Sequence, residues 1–148
     1  DTLTAARFEH YEVSNYALPG FRARHNASYW HGTKYLGIGP AAHSFDGEER
    51  HWNASSVEKY IAGAPAGKEV LTRRDRFNEY VMTALRTVEG IDLEEAAARF
   101  GAKRLARMQE EAAPFLRSGT LRIARGRMAL PPEKFLISDA VIGALFET

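Results

Sequence analysis

The residues best suited to chemistry lie close together near the start of the chain. His25 is followed by Tyr29 and Trp30, four and five residues further on. If this segment is helical, His25 and Tyr29 share one face. A neutral imidazole can ligate iron, and large aromatic rings can pack against a flat macrocycle. The alternative is a surface or capping histidine beside two aromatic residues of the core.

A second candidate site follows a glycine-containing segment. Tyr35–Gly39 reads YLGIG and predicts a short buried strand, whose glycines mark a close approach of backbone or ligand. Pro40–Ser44 is then a loop at the carboxyl end of that strand, which is where ligands bind in parallel α/β sheets and barrels. The alternative is a tight strand whose glycines serve packing alone.

Other site types are excluded or disfavoured by the residue types. The chain has no cysteine, which excludes a disulfide scaffold, a thiolate zinc site, a cysteine nucleophile and a cysteine-held iron–sulfur cluster within it. No histidine pair has zinc-protease spacing, and no serine has the hydrolase context. His10, His31 and His51 lack an evident partner. Glu9 or Glu12 could face a barrel interior, but a structural salt bridge is the favoured role.

Charge and hydropathy describe a folded globular protein. The 148 residues include 20 Lys and Arg against 19 Asp and Glu, so the net charge is +1. This balance is unlike the strongly basic footprint of a nucleic-acid-binding protein. A run of about 18 apolar residues is missing, so we expect no transmembrane segment. No signal peptide opens the chain, and we predict a cytoplasmic location.

Composition changes along the chain and predicts two structural units. All five histidines lie within residues 1–51, and the two tryptophans, Trp30 and Trp52, lie in nearly the same stretch. The rest of the chain is rich in Ala, Arg and Glu. Ala62–Gly67, which reads AGAPAG, is the best boundary because small residues with Pro and Gly bury little and bend easily. We therefore predict domains at residues 1–62 and 68–148.

Local patterns predict the elements that position these residues. In the first part we expect strands and short helices: 9–16 (strand), 25–32 (helical turns), 48–53 (strand) and 56–61 (helix), with a turn at Pro19-Gly20. In the second part we expect helices and one hairpin: a helix from the capping box at Thr72–Asp75 to Gly90, helices 92–100 and 103–113, the latter ended or kinked by Pro114, strands around Arg125-Gly126, and a last helix at 135–146.

The order of the later elements is similar to that of a winged-helix domain. The alternative is a generic helical domain with a β-ribbon. In a nucleic-acid-binding winged helix, Arg122, Arg125 and Arg127 on the wing would contact phosphates. The near-zero net charge favours a solvated ribbon tip instead.

Residues 11–44 resemble HemW, the haem chaperone family related to oxygen-independent coproporphyrinogen III oxidase in the radical S-adenosylmethionine superfamily. The resemblance rests on blocks in the family's order and spacing: YEVSNYA at 11–17, PGF at 19–21, RHN at 24–26, YW at 29–30, YLGIGP at 35–40 and AHS at 42–44. From Arg73 to Glu147 the chain is similar, more loosely, to the family's small C-terminal helical domain.

The resemblance implies an α/β plus α fold. It consists of the last strands of a partial (β/α)6 radical SAM barrel, followed by a small winged-helix-like helical domain with a β-hairpin. Most of the barrel would lie upstream of Asp1 and would be a partner of this chain. The family's CxxxCxxC motif, which holds a [4Fe–4S] cluster and positions S-adenosylmethionine, would lie there too.

The resemblance also implies a haem site. His25, Asn26, Tyr29 and Trp30 match the family's HNxxYW motif, which is implicated in haem binding. His25 becomes the candidate ligand of the haem iron.

A cofactor contact is implied for the glycine-containing loop. Gly39, Pro40, Ala42 and His43 match the loop that closes the barrel over S-adenosylmethionine. Ala41 stands where the family usually has Gly, so the backbone there is expected to be less free.

The resemblance implies that the parent protein binds haem and delivers it to client proteins. This chain alone is not expected to perform radical chemistry, because reductive cleavage of S-adenosylmethionine needs an iron–sulfur electron donor. One alternative is part of an oxygen-independent coproporphyrinogen III oxidase, an enzyme of porphyrin biosynthesis, although the HNxxYW block favours the chaperone branch. A second alternative is a winged-helix nucleic-acid-binding module, but we expect no nucleic-acid partner.

Overall fold

The computed structural model describes residues 2–30, 32–65 and 67–148. Asp1, His31 and Ala66 lie outside the described residues, and so do the predictions made for His31 and Ala66. The elements, in chain order, are α1 (Thr2–Ala5), β1 (Glu9–Glu12), β2 (Asn15–Ala17), α2 (Arg24–Trp30), β3 (His43–Phe45), β4 (Glu49–Trp52), α3 (Val57–Ile61), β5 (Gly67–Val70), α4 (Arg73–Leu85), β6 (Ile91–Asp92), α5 (Leu93–Phe100), α6 (Ala102–Arg117), β7 (Arg122–Ala124), β8 (Arg127–Ala129), a 3-10 helix (Pro132–Ile137) and α7 (Ser138–Ala144). None of the helices in the described ranges is long and apolar enough to cross a membrane.

The chain folds into two compact units. The first unit contains the described residues before position 32 together with 77–148, and the second unit contains those of 32–76. The N-terminal hairpin β1–β2 therefore belongs with the C-terminal helices. Backbone hydrogen bonds make this connection, because the Val13 N–H donates to the Arg86 carbonyl at 2.9 Å and the Val88 N–H donates to the Tyr11 carbonyl at 3.1 Å.

The core of the first unit is built on the predicted apolar stripe of α4. Phe77, Val81 and Leu85 on this helix are 2%, 0% and 0% exposed. They pack with residues of α5, α6, α7 and a three-stranded sheet in the order β6-β8-β7. These other elements and their flanking segments supply the remaining core residues outside α4: Ile91, Ala96, Met108, Ala112, Leu121, Met128, Leu130, Phe135, Val141, Ile142 and Leu145.

The start of α4 confirms the predicted capping box, whereas its predicted end is wrong. The Asp75 N–H donates to the Thr72 hydroxyl at 3.1 Å, and the Thr72 N–H donates to the Asp75 carboxylate at 3.0 Å. Hydrogen bonds from the Thr72 side chain and backbone lower the pKa of Asp75. The helix ends at Leu85 rather than at Gly90, because the backbone after Leu85 leaves the helix to pair with the segment at β1.

Three further predicted elements differ in extent. Residues 9–16 are not one strand: β1 and β2 form an antiparallel hairpin, and their turn is stabilised by the Ser14 N–H donating to the Glu12 carboxylate. Pro114 does not end α6, which continues for three further residues to Arg117, so the one hydrogen bond that the proline cannot donate does not stop the helix. The predicted helix 135–146 is a 3-10 helix followed by α7.

The second unit is a small antiparallel sheet with one short helix. The strand order is β3-β4-β5, with Ser44 opposite His51 and His51 opposite Lys68. The Ser56 side chain accepts the Lys59 N–H and so caps α3. The segment predicted as a flexible boundary thus leads into β5, which completes the sheet.

The predicted buried strand at Tyr35–Gly39 is wrong. Tyr35 alone in this segment pairs with a strand residue, Phe45, and the side chains of Leu36 and Ile38 are 79% and 82% exposed. The pairing stops because the Gly37 N–H donates to the Ser44 hydroxyl, at 2.9 Å, instead of to a strand carbonyl. The apolar side chains on this segment therefore face outward in the chain as described.

We predict that Asn78→Ala lowers the free energy of unfolding by about 1–3 kcal/mol. The Asn78 amide donates to the Glu147 carbonyl at 3.0 Å and accepts the Glu147 N–H at 2.8 Å, so the variant leaves two backbone groups unpaired. Urea denaturation followed by circular dichroism measures the change. Glu110→Ala, at an exposed position of α6, is the control, and an equal loss in both variants would contradict the prediction.

We predict that Tyr80 makes the fold less stable at alkaline pH. Burial, with a further contribution from the charge of Glu95, raises the pKa of Tyr80 to about 12, and its hydroxyl donates to the Asp92 carbonyl at 3.2 Å. In the unfolded chain a tyrosine titrates near pH ~10. Between these two values the folded state holds a proton that the unfolded state has lost, so the free energy of unfolding falls as the pH rises.

Tyr80→Phe tests this prediction. The variant loses the hydrogen bond at every pH, but it should lack the part of the alkaline decline that Tyr80 causes. Urea titrations at about pH 9 and about pH 11.5 should therefore show the difference between wild type and variant shrinking at the higher pH. Parallel pH profiles would show that Tyr80 does not contribute to the decline.

Candidate functional site

The helix α2 presents the predicted pair of side chains on one face. The rings of His25 and Tyr29 meet edge to face, with centroids 5.3 Å apart and planes at 83°. The Tyr29 hydroxyl lies 3.3 Å from His25 Nε2, and the Ser28 hydroxyl donates to the His25 carbonyl at 2.6 Å. The His25 side chain is exposed, and Tyr29 is 40% exposed. An imidazole with an aromatic neighbour is thus available to a ligand from solvent.

The other two residues of the motif lie on the inner side of α2. Asn26 and Trp30 are both half-buried. The indole N–H of Trp30 is buried and has no hydrogen-bond partner among the described residues. The guanidinium of Arg86 lies over the Trp30 ring, 5.0 Å from its centroid. Trp30 is therefore held by contact with its ring face and not by its polar atom.

Arg86 also reaches a fully buried carboxylate. Glu12 is 0% exposed, and one of its oxygens accepts hydrogen bonds from Nε and Nη2 of Arg86 at 3.2 and 3.1 Å. The other oxygen accepts the Ser14 N–H at 3.0 Å and a short hydrogen bond from the Asn15 side chain. This confirms a structural salt bridge for Glu12. No local sequence pattern indicated that Arg86 was the partner.

A second arginine lies just before α2. Arg22 pairs with Glu9 at 3.2 Å and with Glu89 at 2.5 Å, and it lies 5.2 Å from the centroid of the Tyr11 ring. Burial acts to lower the pKa of Arg22, but the hydrogen bonds and charges of Glu89 and Glu9 outweigh it and raise the pKa. The Ala23 N–H donates to the Tyr11 hydroxyl at 3.4 Å. These contacts fix the approach of the chain to α2.

In the second unit, side chains hold the loop that follows Tyr35. The Asn53 amide donates to the carbonyls of Gly37 and Gly39 at 3.2 and 2.9 Å. The Tyr60 hydroxyl accepts the Gly39 N–H at 3.1 Å. The backbone groups of the loop are therefore largely satisfied within the unit, which gives the loop a defined shape.

The two glycines of the loop serve different purposes. A Cβ atom at Gly37 would lie 2.0 Å from the His43 carbonyl oxygen, so this glycine is required by packing. At Gly39, where φ is +109°, a Cβ would meet nothing within 4 Å. Ala41 has φ of 57°, in the left-handed region that favours glycine. The alanine at position 41 is therefore strained, as expected for a position where a glycine would be free.

The other loop residues have ordinary environments. Pro40 is exposed, and Ala42 is half-buried with its carbonyl accepting the Asn53 N–H at 3.0 Å. His43 belongs to β3 instead of the predicted loop, and its exposed ring lies 5.9 Å from the Trp52 ring at 34°. Gly39, Pro40, Ala42 and His43 therefore all lie in the second unit and are at least partly exposed.

Other titratable groups lie outside these two sites. His10 stacks on Tyr16 at 4.0 Å and meets Phe135 edge to face at 4.8 Å, which explains it as a packing residue. Asp46, Glu49 and His51 place possible ligand atoms within 4.8 Å of one another. In this group Asp46 accepts two backbone N–H groups, which lower its pKa, and Lys68 pairs with Glu49 at 3.5 Å.

The β7–β8 ribbon has the predicted two-residue turn. Arg125 and Gly126 have φ of 50° and 73°, as the tight hairpin turn with two positive φ values requires. Arg122 pairs with Glu133 at 3.1 Å, and Arg127 pairs with Asp92 at 2.9 Å. Two of the three arginines that a nucleic acid would contact are therefore already paired with carboxylates.

Comparison with known proteins identifies relatives along nearly the whole chain. The HemN C-terminal domain family matches residues 71–137. The Heme chaperone HemW of Mycobacterium tuberculosis is 37% identical over 149 residues, which cover 97% of this chain and 36% of that protein. HemW of Lactococcus lactis is 36% identical over 104 residues, which cover 68% of this chain and 27% of the relative. HemW of Escherichia coli is 51% identical over 41 residues, which cover 28% of this chain and 11% of that protein.

A solved structure shares the fold. It is described as "Coproporphyrinogen III oxidase (HemN) from Escherichia coli is a Radical SAM enzyme", and it matches 98% of this chain with a TM-score of 0.74 and 16% sequence identity. The chain spans 38% of that structure and 36% of the mycobacterial relative. The chain therefore contains a HemN C-terminal domain at residues 71–137 and is similar over nearly its whole length to part of the HemW proteins.

Proposed function

We propose that this chain is the part of a haem-binding protein that contacts haem through α2. The observation that supports the proposal best is the exposed imidazole of His25 with the Tyr29 ring 5.3 Å away on the same helix face. Both residues belong to the HNxxYW block, which lies within a chain 37% identical to a protein named as a haem chaperone. In this proposal haem is the cargo, which the parent protein delivers to client proteins.

Each residue of the HNxxYW block on α2 has its own proposed role in haem binding. The His25 imidazole is the proposed ligand of the iron, since a neutral imidazole nitrogen is a common axial ligand. The aromatic side chains of Tyr29 and Trp30 supply apolar surface for the porphyrin. Asn26, half-buried on the same helix, supplies the polar side chain of the block.

We extend the proposal to the loop of the second unit, where Gly39, Pro40, Ala42 and His43 would border S-adenosylmethionine in the full-length parent. The fit rests on the open space at Gly39 and on the exposed ring of His43. S-adenosylmethionine with a [4Fe–4S] cluster supplies radical chemistry when both are bound. The cluster needs thiolates that this chain does not contain, so this chain's own residues would bind and orient only.

The finer description of the fold belongs to the same proposal. Residues 1–62 would be the last part of a partial (β/α)6 barrel, whose upstream part is a partner, and residues 68–148 would be a winged-helix-like domain. The order of α4, α5, α6, the β7–β8 ribbon and α7 supports the second assignment. A cytoplasmic location and the absence of a nucleic-acid partner stay predictions.

We predict that His25→Ala weakens haem binding by about 10-fold or more and alters the Soret band, because the iron loses a ligand. Haem is titrated into the chain and followed by absorption. His51→Ala, which removes a half-buried histidine of β4, is the matched control and should behave as wild type. An identical spectrum and affinity in His25→Ala would reject His25 as a ligand.

We predict that Asn53→Ala speeds amide hydrogen exchange at residues 37–42 by roughly 10-fold, because two carbonyls of the loop lose their donor. Asn53→Asp keeps the shape of the side chain but lacks its N–H donors, so it should have the same effect. Exchange in β5 serves as the internal control. Unchanged exchange at 37–42 in both variants would show that Asn53 does not hold the loop.

A further inference from the structure

Glu12 places a carboxylate in the protein interior, where it is shielded from water. Its side chain is 0% exposed, and its two oxygens accept four hydrogen bonds from Arg86, Ser14 and Asn15. A buried carboxylate is tolerated only when it is paired and its oxygens are hydrogen-bonded. Arg86 supplies the compensating charge and two of the hydrogen bonds, so its guanidinium is held in a fixed plane.

The guanidinium of Arg86, held in this plane, also supports α2. The guanidinium lies 5.0 Å from the centroid of the Trp30 ring. A planar guanidinium can bind a carboxylate with its edge while its face contacts an aromatic ring, which an ammonium group cannot do. One arginine therefore connects the buried carboxylate of β1 with the last residue of α2.

The helix α2 depends on such support. It has seven residues, and none of them is buried as the structure describes them. A helix of this length is not stable by itself in water. The indole N–H of Trp30 lacks a hydrogen-bond partner among the described residues, so the ring is positioned by its contacts alone.

We propose that Glu12 and Arg86 are positioning residues for the haem contact, which rests on the proposed function of α2. By fixing Trp30 they fix the helix, and the helix in turn fixes the imidazole of His25, about one and a half turns away. Neither residue touches the cargo. Their effect on haem binding passes through Trp30.

Arg86→Lys tests the proposal, because lysine keeps the charge opposite Glu12 but loses the flat face. Arg99→Lys is the matched control: Arg99 pairs with Glu95 at 2.7 Å and lies 5.0 Å from the Tyr80 ring centroid, in the same unit but on α5. If Arg86→Lys does not fold, the double variant Glu12→Gln with Arg86→Met removes both charges together and leaves no buried carboxylate unpaired.

Two measurements are made on each variant. The first is amide hydrogen exchange at residues 24–30 without haem, which we expect to speed up roughly 5- to 10-fold in Arg86→Lys and not in Arg99→Lys. The second is haem titration, in which we expect Arg86→Lys to bind roughly 5- to 10-fold more weakly with a shifted Soret band. Circular dichroism and thermal unfolding establish that the compared variants are folded.

The outcomes separate this inference from the proposed function. Unchanged exchange at 24–30 in the folded Arg86 variant would overturn the positioning role. Faster exchange with unaltered haem binding, while His25→Ala loses haem, would also overturn it. If wild type binds no haem, the proposed haem contact is rejected, and with it the claim that Glu12 and Arg86 serve haem binding.

Discussion

The ion pair between buried Glu12 and Arg86 is the constraint on which the first unit depends. These residues are 74 positions apart, and their contact joins the N-terminal hairpin to the segment that follows α4. Removing one partner would leave an uncompensated charge out of reach of water, which is among the most destabilising changes in a protein interior. The backbone hydrogen bonds of Val13 and Val88 on either side align the two segments so that the pair can form.

This connection explains several local features. The helix α4 stops at Leu85, because the next residues must be extended to pair with the segment at β1. Arg86 thereby emerges at the place where it can bind Glu12 and contact Trp30. Arg22, just before α2, makes a comparable connection through Glu9 and Glu89. The helix with the HNxxYW block is thus contacted, at Trp30, by an arginine that is distant in the sequence.

The two candidate sites follow different physical rules. The candidate haem site is an exposed helix whose His25 side chain is held in place by contacts on the other face of the helix. The loop at Gly39–His43 is a stretch of irregular backbone whose polar groups are satisfied by Asn53 and Tyr60. In both places some residues, Glu12 and Arg86 in one and Asn53 and Tyr60 in the other, hold the shape without being candidate ligand contacts, and substitutions at these residues separate the two roles.

The sequence by itself determined the features whose partners lie a few residues apart. The capping box at Thr72–Asp75, the apolar stripe of α4, the turn at Arg125-Gly126 and the pairing of His25 with Tyr29 all follow from spacing, and the structure confirms them. The HemW-like blocks also identified the relatives correctly.

Only the tertiary structure decided the features whose partners are far away. No local pattern shows that Arg86 pairs with Glu12, that α4 ends before Gly90, or that the apolar side chains of Leu36 and Ile38 are exposed. An apolar run predicts burial, but which surface covers it depends on chain segments distant in sequence. A carboxylate likewise predicts a partner without naming it, because the energy of a buried ion pair depends on burial and geometry that exist only after the chain has folded.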